Sequence, residues 1–164
     1  MGRKSIRENK NIYQHSRESA ELTRAQACER MQCVSESRLY RIENGESLPY
    51  PEEVSAMSKA YKVPGLCNYY CANDCPLGQN RVAVVPEKEL PIITLEILSI
   101  LNRLSSEKDR LIEISADGKI SQDEMRDFKR IRERLEEMSS SIDALQLWLD
   151  NTIATGGLND ESRS

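Results

Sequence analysis

Apolar residues recur at helical spacing along most of the chain, in two different rhythms. Up to about residue 72 the runs are short and repeatedly interrupted by cap and turn residues. The first predicted helix covers residues 12–21, with Ile12, Ser16 and Ala20 on one face. Thr23 with Gln26 three residues on is a capping-box start, and Ala27, Cys28 and Met31 give that second helix a small apolar face. Ser35 caps a third helix in which Leu39 and Ile42 point inward, while Glu36, Ser37, Arg38, Tyr40 and Arg41 are left mostly outward. Gly45 ends it as a left-handed residue would. Pro51 fits the first turn of a fourth helix, Pro51–Tyr61, with Glu52 and Glu53 beside its N-terminus and Val54, Met57 and Tyr61 facing the core. Pro64 opens a short fifth helix through Leu66 to about Cys71, before Asn73-Asp74 and Pro76-Leu77-Gly78 break the chain.

The second rhythm begins at Pro91, after a linker (78–90) in which residues 82–85 suit a short extended segment. Ile93, Ile97, Ile100, Leu104, Leu111 and Ile114 step by 4, 3, 4, 7 and 3. Past a turn at Ala116–Lys119, the residues Phe128, Ile131, Leu135, Met138, Ile142, Leu145 and Leu149 alternate steps of 3 and 4 without a break. This is heptad, coiled-coil spacing, with Trp148 beside the seam. It predicts helices over 92–115 and 121–154. Leu95, Leu98, Leu101 and Ile112 lie off the seam, so the first of these helices has more apolar surface than one partner covers. A second copy forming a four-helix bundle would cover it; so, in a monomer, would residues 54–72. The expected fold is all-α. A basic arm (1–10) precedes a five-helix, helix-turn-helix domain (11–77). The linker (78–90) leads to a long antiparallel helical hairpin for dimerisation (91–154) and a disordered tail (155–164).

Composition adds two points. Aromatic residues are only 5%, so the core must be aliphatic. The net charge of −4 argues against a nucleic-acid binder, but it is unevenly divided. Residues 1–64 hold 11 Lys/Arg against 9 Asp/Glu, and residues 65–164 hold 12 against 18. The basic excess thus accompanies the two-helix unit. The polar start gives no sign of a signal peptide, and no apolar run approaches the ~20 residues of a membrane helix. The expected location is the cytoplasm, where an odd number of cysteines (five) suits free thiols or a metal site better than disulfides.

The stretch TRAQACERMQCVSESRLYRIENG, Thr23 to Gly45, carries the functional signal. A helix with a polar, arginine-bearing outer face, preceded by a helix crossing it, is the geometry that enters the major groove of DNA. Residues 11–66 resemble the Cro/repressor-type (XRE-like) helix-turn-helix family. The marks are Leu22-Thr23 opening the second helix, Arg41-Ile42-Glu43-Asn44-Gly45 closing the third, and Leu48-Pro-x-Pro-Glu-Glu-Val54 opening the fourth. The resemblance implies that Arg24 sits at a phosphate, that Glu36, Ser37 and Arg41 face base edges, and that Arg38 lies close by. Ser35 and Asn44, at the two ends of the recognition helix, complete the expected DNA-binding set. The resemblance also implies an internal ion pair between Arg17 and Glu43. The turn departs from the family pattern: it is one residue longer and lacks a glycine. Counting from Thr23 puts Cys33 at its apolar position; counting back from Glu43 puts Val34 there.

Other constellations are weaker. Cys67, Cys71 and Cys75, spaced C-x3-C-x3-C, could hold zinc or an iron–sulfur cluster with a fourth ligand from Cys28, Cys33, His15 or Asp74. Packing of small apolar side chains explains the same residues. EISADGKISQDE, Glu113 to Glu124, has the outline of a calcium loop. A helix end at Gly118 and a Ser121/Glu124 capping box explain the same residues and are the preferred reading. His15, the one histidine, has no acid–base partner nearby in sequence. No catalytic constellation is present, so no enzyme and no cofactor are expected. The expected function is sequence-specific binding of double-stranded DNA by a homodimeric transcriptional regulator. The alternatives are a protein-interaction adaptor whose helix-turn-helix no longer reads DNA, and a metal- or redox-responsive regulator using the cysteines.

Overall fold

A computed structural model describes residues 10–157, so most of the arm expected at 1–10 and of the tail expected at 155–164 lies outside the described residues. Among those described there are seven helices and no strand: α1 (Ile12–Ser19), α2 (Arg24–Met31), α3 (Glu36–Glu43), α4 (Pro51–Tyr61), α5 (Gly65–Asn73), α6 (Leu90–Ser115) and α7 (Met125–Ala154). The fold is all-helical, as expected. Some boundaries shift. The first helix stops at Ser19, the fifth continues to Asn73, and the hairpin helices start at Leu90 and Met125 rather than 92 and 121. Residues 82–85 form no strand. The chain divides into two compact units. One runs to Val84 and takes in the end of α7 from Leu149; the other is Val85–Trp148.

In the N-terminal unit every helix is short, too short to be stable without tertiary contacts. Capping sets the boundaries. Asn11 accepts the Gln14 N–H at the start of α1; Thr23 and Gln26 form the reciprocal box at α2; Ser35 accepts the Arg38 N–H at α3. The end of α3 is a Schellman turn. Gly45 N–H bonds the Ile42 carbonyl and Glu46 N–H that of Arg41, with Gly45 at φ +73°. Gly78 is required for a different reason: a Cβ there would stand 2.0 Å from the Cys71 carbonyl oxygen. The core joins Tyr13, Leu22, Ala27, Met31, Val34, Leu39, Ile42, Val54, Met57, Tyr61 and Leu66. Cys28 and Cys67 pack at its edge.

In the hairpin unit α6 and α7 run antiparallel, because Arg110 pairs with Asp127, Arg130 with Glu107 and Arg103 with Glu137. Ile93, Ile100, Ile114 and Ile131 are buried, as the seam predicted. Beyond Ile131 the expected seam does not hold. Ser141 and Ala144 are buried, whereas Ile142 is 52% and Leu135 49% exposed. Leu145 is exposed too. Small side chains allow close approach, so the packed face turns onto them and away from the larger residues one position on. A heptad pattern reports which residues are apolar, not which neighbour covers them. At the 116–124 turn, Gly118 takes φ +69° and Glu124 accepts both the backbone N–H and the hydroxyl of Ser121.

Candidate nucleic-acid interface

The turn between α2 and α3 resolves the sequence count. Gln32 takes the left-handed conformation (φ 59°) that glycine usually supplies, Cys33 is exposed, and Val34 is buried as the apolar turn residue. The extra residue is therefore accommodated outside the core. Leu39, Ile42 and Glu43 form the inner side of α3. Ser37 and Arg41, one turn apart, are exposed on the opposite side, with Asn44 half-buried one turn further on. Glu36 and Ser35 are exposed at the helix N-terminus, Ser35 being occupied as the cap. Among the described residues Arg41 has neither an ion pair nor a side-chain hydrogen bond.

Glu43 anchors the helix from beneath. Its side chain is fully buried and takes Arg17 Nε at 2.5 Å and Arg17 Nη2 at 3.0 Å. The ion pair implied by the resemblance is thus present, and it is buried. Arg17 Nη1 also donates to the Leu22 carbonyl at 2.6 Å. A second arginine, not anticipated from sequence, reaches the same carboxylate: Arg24 Nε lies 2.7 Å from Glu43 Oε2. Glu43 therefore ties α1, α2 and α3 at one point.

Two stacked arginine–tyrosine pairs bracket the outward face. On the α2 side the Arg24 guanidinium lies 5.1 Å from the centre of the Tyr40 ring. On the other, Arg38 lies 4.9 Å from the Tyr50 ring. The two arginines differ in what they have left to offer. Arg38 donates to both carboxylate oxygens of Glu53 (2.9 and 2.8 Å), to Ser47 Oγ (2.8 Å) and to the Leu48 carbonyl (2.9 Å). It is a latch between α3, the 47–50 loop and α4. Sequence periodicity left it outward because nothing in α3 announces a carboxylate fifteen residues on. Burial raises the Glu53 pKa, but the Arg38 hydrogen bonds and the Tyr50 N–H outweigh it and hold the carboxyl below its ordinary value. Arg24, by contrast, is about a third exposed, and among the described residues only its Nε is hydrogen-bonded.

The cysteines stand apart from this face. Cys67, Cys71 and Cys75 are half-buried free thiols. Among the described residues no three His, Cys, Asp or Glu side chains are grouped so as to hold a metal. Nearby, the Tyr13 hydroxyl hydrogen-bonds Asp74, joining α1 to the end of α5. His15 is exposed.

A capped helix crossing a second one, with a polar outer side and an inner side pinned by a buried ion pair, is a helix-turn-helix, an arrangement that DNA-binding domains use. Residues 14–70 match the family model described as a helix-turn-helix domain, of the Cro/XRE type, and this segment belongs to that family. No curated protein and no solved structure is significantly similar to the chain. No helix among the described residues is long and apolar enough to cross a membrane.

Proposed function

We propose that the protein is a sequence-specific transcriptional regulator that lays α3 in the major groove of DNA and acts as a homodimer. The outward side of α3 carries this reading. It presents Ser37 and the unpaired Arg41 between two arginine–tyrosine pairs, on a helix that Glu43 fixes from below. Arg41 is the guanine reader, since arginine donates two parallel hydrogen bonds to O6 and N7. Arg24 is the phosphate contact, its remaining N–H groups directed by the bond to Glu43. Glu36, Ser37 and Asn44 lie within the same footprint. Ser35 and Arg38 serve it by holding the helix, which revises the contact expected of Arg38. Selection of bound sequences from random duplex DNA tests the reading. An enriched motif bound with a steep salt dependence supports it. A flat salt dependence with no motif leaves the adaptor reading instead.

The dimer rests on the hairpin. Leu101 on α6 and Leu135 and Ile142 on α7 are about half exposed. In the antiparallel register set by the ion pairs, Leu101 falls between the other two. A face built from two helices fits a second copy bringing the same face, which closes a four-helix bundle. A two-fold dimer also presents two recognition helices to half-sites about one helical turn apart. Sedimentation of the full chain at micromolar concentration checks it: a monomer there overturns the dimer.

A further inference from the structure

Tyr40 was assigned no role by sequence, yet it is 46% exposed and sits on α3 one turn from both Ser37 and Asn44. Its ring is stacked from one side. Arg24 covers one face at 5.1 Å, and Arg24 is itself tied to the buried Glu43 at 2.7 Å. What remains open is the ring edge and the opposite face. An apolar surface supported from behind on an otherwise polar outward side has one apolar complement in the major groove: the 5-methyl group of thymine. The same stack couples that surface to Arg24, so seating the arginine on a phosphate fixes where the ring edge falls.

We propose that Tyr40 is a specificity-determining residue that packs its ring edge on a thymine methyl group, aligned by Arg24 and Glu43. This rests on the DNA-reading function above. The hydrogen-bonding edge of thymine is not involved, so deoxyuridine isolates the contact.

The test uses the full-length protein. Each thymine of the motif enriched by wild type is replaced singly by deoxyuridine, which removes only the methyl group. Wild type and Tyr40→Phe should lose roughly fourfold in affinity at one thymine per half-site, the factor for one buried methyl group. Tyr40→Ala should be indifferent to the replacement there and should no longer select thymine at that position. Tyr40 is exposed, and thermal melting of each variant verifies that the fold is kept. A wild-type protein indifferent to every replacement overturns the proposal without reference to any variant. So does a Tyr40→Ala protein that keeps the deoxyuridine penalty. Equal weakening of Tyr40→Ala on all duplexes, with selectivity intact, reduces Tyr40 to a shelf for Arg24 and also overturns it. A wild-type protein that enriches no motif overturns Tyr40 together with the function it rests on, which separates the two failures.

Discussion

In the N-terminal unit, helices of 8 to 11 residues enclose charged side chains; in the hairpin, helices of 26 and 30 residues leave apolar side chains open. Arg17, Glu43 and Glu53 are all buried in the first unit, each with a partner of opposite charge. In the second, the pairs Arg103–Glu137, Arg110–Asp127 and Arg130–Glu107 stand near the surface, where they set register more than they stabilise. Short helices gain little from their own hydrogen bonds, so their orientation must be fixed by tertiary ties. Long helices hold themselves together and can keep an apolar face for a partner. One unit pairs its buried charges within the chain, and the other leaves apolar side chains at its surface, where the proposed dimer would cover them.

The comparison breaks most severely at Glu43. Glu43→Gln leaves Arg17 buried without its countercharge, and should destabilise the N-terminal unit by about 3–5 kcal/mol. Thermal melting of the full chain reads this; an unchanged melting temperature would mean the pair adds nothing. Next is the open face of the hairpin. Leu135→Asp with Ile142→Asp should weaken self-association by at least about 2 kcal/mol, the scale of central interface positions, while leaving the fold of the N-terminal unit intact. Sedimentation across a concentration series checks it, and an unaltered monomer–dimer equilibrium would move the interface elsewhere.

Arg38 and Arg41 sharpen the contrast within one helix. Arg38→Met strands Glu53 and should lower stability by about 2 kcal/mol, the range for hydrogen bonds to a charged group. Arg41→Ala should leave stability alone but weaken binding to the preferred duplex by about 1–3 kcal/mol and relax selectivity at one position. Equal losses on specific and random DNA would exclude Arg41 as a base reader. Arg24→Ala should instead weaken binding to every duplex and flatten the salt slope by roughly one unit, with selectivity reduced only at the thymine assigned to Tyr40.

The smallest effect is acid sensitivity. The folded pKa of Glu53 lies below its ordinary value of 4.5, so its stabilising contribution is fully present above that value. It is lost as pH falls through the depressed folded pKa. Glu53→Gln should remove that part of the acid-induced loss. Denaturation midpoints of wild type and variant, compared from neutral pH downward, should therefore converge. Curves that stay parallel would show that Glu53 titrates alike in both states.

Local chemistry made much of the first unit legible. The Thr23 and Ser35 caps, Gly45, the Pro51 start and the inward Leu39, Ile42, Val54, Met57 and Tyr61 all stand where periodicity and capping put them. The Arg17–Glu43 pair was legible only through family resemblance, since 26 residues separate the partners. The second arginine on Glu43 and the Arg38–Glu53 latch were not legible. Each depends on where a long side chain ends, and neighbouring letters do not encode that. The same limit explains the hairpin: Ile142 and Leu145 keep the heptad, yet Ser141 and Ala144 are buried.

By itself, the sequence determined which stretches form helices, where the caps that open α2, α3 and α4 fall, and that a polar, arginine-bearing helix follows a tight turn. These are outcomes of interactions within a few residues, where backbone hydrogen bonding and side-chain spacing decide. Only the tertiary structure decided which arginine is a latch and which remains available, how Tyr40 is held, and which apolar residues of the hairpin stay uncovered. Those depend on distances between segments far apart in the chain. Such distances are set jointly by packing and by the need to pair every buried charge.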